Sequence, residues 1–324
     1  MHRVSVVIPT YNRLSRLKSV LTALERQTVP LDEFEVIVVC DGATDGTPEY
    51  LESLVTPLRF TAVIQPNGGP ASARNNGVGH ATGELVLFID DDVVADKRLV
   101  AEHLHCHDQS SKDLVVIGPM LTPDDFQMAP WVRWEQDRLA EQYESMEQGL
   151  WLPTARQFYT GNSSLSRSAI NAVGGFDARF RRAEDVELAY RLAESGINFK
   201  FNPNAIGYHY AERSFQSWVA TPYEYGRNDV VFANEGGQLW LSEVAAREYQ
   251  ERHVLIRYMV RCCLCRKVAS KVVIGLLGFI GQASNALGFN RAAQQAYSGL
   301  FNLRYYQGVA DGLGGCEKFW AKFS

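Results

Sequence analysis

Three adjacent carboxylates, Asp90, Asp91 and Asp92, follow directly on the apolar run Leu85–Ile89. Like charges this close repel one another and are costly unless a cation offsets them. Alternation along an extended chain sends Asp90 and Asp92 to the same side. That pair suits one Mg²⁺ or Mn²⁺, with phosphate oxygens completing the shell. An acidic loop after a strand is the plainer alternative.

Other polar groups sit just after similar apolar runs. Val6-Val7-Ile8-Pro9 leads into Thr10 and Tyr11, whose ring can stack on a base. Val36–Val39 leads into Cys40 and Asp41, which can accept from a base N–H. Asn67-Gly68-Gly69-Pro70 opens a helix carrying Arg74 one turn in. Glycines let a backbone approach a ligand, a helix start offers N–H groups to an anion, and Arg74 suits a base carbonyl or a phosphate. Each signal alone is matched by ordinary turn and cap chemistry.

The elements needed to position these groups are legible. Strands are predicted at Val4–Pro9, Phe34–Val39, Phe60–Ile64, Leu85–Ile89 and Leu114–Ile117. Helices are predicted between them at Arg13–Gln27, Thr47–Leu54, Ala71–His80 and Lys97–His107. Near-continuous apolar strands separated by helices predict an α/β fold with a mostly parallel sheet covered on both faces. Ligands in such folds sit at the carboxyl ends of the strands, where the polar groups above fall. Farther on, Trp131–Met146 and Asp185–Ser195 read as helices, and Gln157–Gly161 and Asn198–Phe201 as strands. The chain beyond Ser214 reads as helical.

The ordered set V-S-V-V-I-P-T-Y-N-R, V-I-V-V-C-D-G-A-T-D-G-T, N-G-G-P-A-S-A-R-N, F-I-D-D-D, G-N-S-S-L-S-R and A-E-D-V-E-L-A-Y-R-L resembles family 2 glycosyltransferases of the Rossmann-like GT-A fold. The resemblance covers about residues 3–210. It implies a catalytic domain over 1–213, with a nucleotide-binding half (1–120) and an acceptor half (121–213), followed by a helical C-terminal region over 214–324. It implies that Pro9, Thr10, Tyr11, Asp41 and Arg74 surround the base, usually uracil. Asp90 and Asp92 match the pair that approaches the metal, ribose and diphosphate, with Asp91 between them in the donor set. Gly161 and Asn162 match a segment lining the donor-sugar and acceptor cleft, and Glu184 also belongs to the donor set. Asp185 matches the catalytic base of inverting members. His209 stands where some related transferases place a histidine on the metal. One departure is Cys40, where the family usually has an acidic residue.

The expected activity is transfer of a sugar from a nucleotide diphosphate, UDP most often, to a glycan or lipid-linked acceptor, with Mn²⁺ or Mg²⁺ as cofactor. Two rival activities differ from this one in the residues they require. A sugar-nucleotide nucleotidyltransferase would carry a Gly- and Arg-rich phosphate loop after its first strand, where Pro9-Thr10-Tyr11-Asn12 stands here. A non-catalytic nucleotide-sugar-binding membrane scaffold would have no need of Asp185. Without the resemblance, Glu184-Asp185 reads as charge complementing a helix N-terminus.

The net charge of −5 hides an asymmetry. Residues 1–250 hold 22 Lys+Arg against 34 Asp+Glu, and residues 251–324 hold 10 against 3. An acidic body with a basic tail speaks against nucleic-acid binding and suits contact with an anionic membrane face, or equally a helical cap on the catalytic body with solvated basic residues. Arg257, Arg261, Lys267 and Lys271 would share one helix face, and the ten-residue apolar run Val272–Gly281 is too short to span a bilayer. Six cysteines without a paired C-x-x-C framework suggest reduced thiols. The apolar run Val4–Ile8 ends at Pro9, too short for a secretory signal, so the expected location is cytoplasmic, at the inner face of the membrane. His103, His105, Cys106 and His107 are read as part of a surface helix rather than as a zinc site.

Overall fold

The computed structural model describes residues 2–180 and 182–323. Its contacts divide the chain into one unit of residues 1–127 and 138–211, and another of 128–137 and 212–324.

The first unit begins with β1 (Val4–Thr10), α1 (Leu14–Leu24), β2 (Phe34–Asp41), α2 (Thr47–Ser53) and β3 (Arg59–Gln65). It continues through α3 (Pro70–His80), β4 (Leu85–Ile89), β5 (Val93–Ala95), α4 (Leu99–Asp108), β6 (Leu114–Ile117) and β7 (Met120–Leu121). After α5 (Pro130–Glu147), whose residues 130–137 belong to the second unit, come β8 (Asn162–Ser166), α6 (Arg167–Ala172), α7 (Glu184–Glu194), β9 (Asn198–Phe201) and β10 (Gly207–His209). Seven strands form one sheet in the order β3-β2-β1-β4-β8-β6-β9. Every pairing in it is parallel except those of β8, which runs against both β4 and β6. The expected mostly parallel α/β architecture is therefore present. A small second sheet, β5-β10-β7, carries His209 opposite Val93, just beyond the aspartate triplet.

Burial follows from the sequence pattern. β2 is buried along its whole length, as a strand covered on both faces must be. α1 buries Leu17, Val20, Leu21 and Leu24, spaced three, one and three along one face. Each such side chain contributes about 1.5–3 kcal/mol relative to exposure.

The expected strand at Gln157–Gly161 is corrected. Residues Ala155–Gln157 form a 3₁₀ turn capped by Thr154, and the strand begins at Asn162. Phe158 and Tyr159 carry strand-like propensity, but the reciprocal cap between Thr154 and Gln157 fixes a turn first.

The second unit is helical: α8 (Phe215–Asn234), α9 (Trp240–Glu251), α10 (Val254–Cys263), α11 (Lys267–Ala286), α12 (Asn290–Gly312) and α13 (Cys316–Phe323). Trp218 and Tyr297 are buried in edge-on contact, with Trp134 edge-on to Trp218. α8 and α12 approach closely through Gly226, where a Cβ would overlap the Tyr305 carbonyl. Cys265 and Cys316 are disulfide-bonded, their Cα atoms 6.4 Å apart. The reading of six reduced thiols is corrected for this pair, whose separation of 51 residues leaves no local spacing signal. α11 is 20 residues long and, by length and mean hydropathy of 1.2, apolar enough to cross a membrane. The ten-residue run read from the sequence is thus the middle of a longer apolar helix.

Candidate active site

β2 and β3 lie on one side of β1 and β4 on the other, so the chain reverses its direction of travel between β1 and β4. This switch point, at the carboxyl ends of the strands, is where open α/β sheets bind ligands. Here it joins Thr10-Tyr11-Asn12-Arg13 to the aspartate triplet.

The three aspartates have three different environments. Asp91 is buried and accepts from Thr10 Oγ1 at 2.8 Å, from the Tyr11 N–H at 3.4 Å and from Arg13 at 3.3 Å. Burial pushes its carboxyl up to about 7, with Arg13 opposing and the charge of Asp92 adding to the rise. Asp92 bonds Arg13 and lies 3.5 Å from His209 Nε2. Burial alone would raise Asp92, but hydrogen bonding and charge from His209, with the charge of Arg13, outweigh it and hold this carboxyl below its usual value. Asp90 is half-buried and accepts from Arg74 Nη2 at 2.8 Å.

At the end of β2, Asp41 holds the glycine loop. Its carboxylate accepts from Gln65 Nε2 at 2.7 Å, the Gly68 N–H at 2.7 Å and the Gly69 N–H at 2.9 Å. The two glycine amides are thus engaged by Asp41. A carboxylate offers about four lone-pair positions, so room for one further donor remains. Gly42, at φ +74°, lets the chain turn beneath this loop, since a Cβ there would lie 2.7 Å from the Asn67 nitrogen. Tyr11 is 51% exposed, so its ring is open to a stacking partner. Pro9 lies half-buried within β1, opposite Val39.

Arg74 is buried in α3 and bridges two elements. It donates to Asp90 and, through Nη1, to Glu184 Oε1 at 2.7 Å. Glu184 and Asp185 open α7 behind Ala183, which adopts the left-handed conformation at φ +59°. A non-glycine residue there stores backbone strain of about 1–3 kcal/mol, a feature that gathers at functional sites. Burial raises the Asp185 carboxyl to about 7, helped by the charge of Glu184 and opposed by Arg74. A carboxyl held there changes its charge near neutral pH.

Gly161 sits against Asp90. The Asp90 N–H donates to the Gly161 carbonyl at 3.4 Å, and a Cβ on Gly161 would lie 3.1 Å from Asp90 Oδ2. Asn162 turns inward instead. Its side chain donates to the Pro119 and Ala205 carbonyls at 3.0 and 2.7 Å and bonds His103 Nε2 at 2.9 Å. His103 Nδ1 bonds Ser164 Oγ at 2.8 Å, and so does His107 Nε2. The surface-helix reading is corrected for His103, which is 1% exposed. Burial lowers both His103 and His107 to about 4, so both are neutral. This polar network behind the site, together with Arg13, escaped the sequence reading. The pairing of His103 and His107 four residues apart with the polar strand Asn162-Ser163-Ser164 was its only trace.

Among the described residues, no three His, Cys, Asp or Glu side chains converge on one point. Asp92 with His209 is the pair whose chemistry fits a hard divalent cation, one carboxylate oxygen and one imidazole nitrogen. Asp90 is turned toward Arg74 rather than joining them.

Known proteins share this architecture. The chain is 36% identical over 223 residues to validoxylamine A glucosyltransferase of Streptomyces hygroscopicus subsp. jinggangensis, covering 60% of this chain and 52% of that protein. It is 30% identical over 231 residues to the pre-mycofactocin glycosyltransferase of Mycobacterium tuberculosis, covering 69% and 46%. The chain therefore spans about half the length of these relatives. Among solved structures, residues 1–349 of S. aureus TarS in complex with UDP-GlcNAc align with a TM-score of 0.60 at 20% identity, covering 97% of this chain and 93% of that one. The mannosyltransferase PcManGT of Pyrobaculum calidifontis, in complex with GDP-Man and Mn²⁺, aligns at 0.58 and 19% identity, covering 94% and 86%. These two likenesses are of fold. The glycosyl transferase family 2 model matches residues 5–174, more than half of the chain, and the protein belongs to that family of glycosyltransferases.

Proposed function

We propose that this glycosyltransferase moves a sugar from a UDP-sugar to a hydroxyl of a glycan or lipid-linked acceptor, with inversion at the anomeric carbon. The observation that carries this reading is the Arg74 bridge, which ties the start of α7, with Asp185, to the aspartate triplet. Asp185 takes the proton of the acceptor hydroxyl as its oxygen bonds the anomeric carbon, and the carbon–oxygen bond to the diphosphate breaks on the opposite side. The diphosphate leaves with the electron pair. Asp41 and Tyr11 receive the base, Tyr11 by stacking and Asp41 through its remaining lone pair. Asp92 and His209 would hold a Mn²⁺ or Mg²⁺, which when bound screens the charge growing on the leaving group.

The test is a panel of nucleotide sugars with Mn²⁺, read first by protection against thermal unfolding and then by product formation. One UDP-sugar should protect selectively. Protection by no UDP-sugar, with a different nucleotide sugar protecting, would replace the assigned donor.

A further inference from the structure

α11 has two unlike sides. Ser270, Gly278 and Gly281 are buried, and a Cβ on either glycine would press on the ring of Phe215 or Tyr297. The opposite side carries Val268, Val272, Leu276, Phe279 and Ile280, exposed by 79, 63, 54, 70 and 38%. Their spacing of four, four, three and one places them on a single stripe. Leu287 and Phe289 past the helix end are also exposed, and α10 exposes Val254, Leu255 and Tyr258. These ten residues are more than half of the eighteen large apolar side chains exposed among the described residues, although they span only 254–289. Scattered exposed apolar residues are ordinary, but a contiguous concentration of them marks an interaction surface.

The charge around this surface has one sign. Between Arg252 and Ala310 the sequence holds eight Lys or Arg and no Asp or Glu. Arg261, Arg266, Lys267 and Lys271 are exposed at the end of α10 and the start of α11. A second copy of the chain is a poor occupant, because a two-fold interface would set these cations against themselves with no acid to offset them. A span across the bilayer would strip the buried side of α11 from Phe215 and Tyr297.

We propose that α10 and α11 form an in-plane docking surface for an anionic lipid bilayer. The apolar stripe enters the boundary of the acyl chains, and the Arg and Lys side chains meet the phosphate headgroups. None of the transfer-site residues takes part, so failure of this inference leaves the proposed sugar transfer standing.

The test is co-flotation of the whole chain with phosphatidylcholine vesicles, with and without phosphatidylglycerol. Binding should favour the anionic vesicles and weaken in high salt. Lys267→Glu/Lys271→Glu should lower binding to anionic vesicles by roughly fivefold or more per residue. Leu276→Glu/Phe279→Glu should lower it by at least about tenfold. All four positions are exposed, so an unchanged thermal midpoint checks that both variants fold. Equal binding to neutral and anionic vesicles, or none to either, overturns the proposal. So does a dimer of the wild-type chain by light scattering that Leu276→Glu/Phe279→Glu converts to monomer, since the stripe would then serve a second copy.

Discussion

Arg74 and Glu184 lie 2.7 Å apart, joining the second turn of α3 to the first turn of α7 across 110 residues of sequence. Both are buried, and the same guanidinium also holds Asp90. A paired buried charge adds little net stability, but removing one partner strands the other at a cost of about 3–5 kcal/mol. The bridge therefore acts mainly by fixing where α7 begins relative to the aspartates.

Arg74→Ala should lower stability by about 3–5 kcal/mol, read from urea unfolding, and abolish transfer. Arg74→Lys keeps a charge but cannot reach both carboxylates in a fixed fork. It should recover much of the stability and little of the rate. Full activity in the lysine variant would show that the fork does not position α7.

Asp185→Asn should reduce turnover by roughly 10²–10⁴-fold while the donor still protects against heat. The wild-type rate should climb with pH and level off above about 7, because Asp185 accepts a proton only once ionised. Stability should run the other way. A carboxyl whose pKa is raised on folding binds more protons folded than unfolded, so its contribution falls as pH rises from the ordinary carboxylate range to about 7. Asp185→Asn should thus melt higher than wild type above pH 7, with the gap closing in acid. Equal melting at both pH values would count against burial of an ionised carboxylate.

Removing divalent cations with EDTA should lower transfer, and Mn²⁺ should restore it. Mn²⁺ with donor should raise the thermal midpoint of the wild type and fail to do so in Asp92→Ala. His209→Ala should weaken Mn²⁺ protection without removing it, because one carboxylate and the donor phosphates remain. Arg13 shares Asp92, so Arg13→Ala should shift the Mn²⁺ titration to lower concentration. An unchanged Mn²⁺ midpoint in that variant would exclude competition for the carboxylate.

Most strands of the first 120 residues are apolar runs, and β4 and β6 were legible in the sequence to the residue. β8 was not. The strand was expected at Gln157–Gly161, whereas the polar Asn162-Ser163-Ser164 are the residues buried in the middle of the sheet. Asn162 Oδ1 and Ser164 Oγ are satisfied by His103 and His107, some sixty residues away, while Ser163 Oγ donates to the Tyr159 carbonyl. The site residues are legible as types, because aspartates after apolar runs need partners. Their partners are less so: that Asp41 closes the glycine loop, or that Asp90 turns to Arg74, depends on how separate strand ends meet.

The histidine network yields a last test. His103 is neutral because burial lowers it to about 4, against about 6.5 in an unfolded chain. The unfolded state therefore binds more protons between these values, and the stability His103 contributes is complete above about 6.5 and lost as pH falls through that window. His103→Gln can still bond Asn162 or Ser164 but has no proton to take up. From pH 7 to pH 5 the wild type should lose on the order of 2 kcal/mol more than this variant in urea unfolding. His103→Leu should instead be weaker at every pH, by about 1–3 kcal/mol, because the Asn162 carbonyl oxygen is left buried without its donor. Parallel pH profiles for wild type and His103→Gln would show that this imidazole does not titrate on unfolding. The network would then be no acid-sensitive joint between α4 and β8.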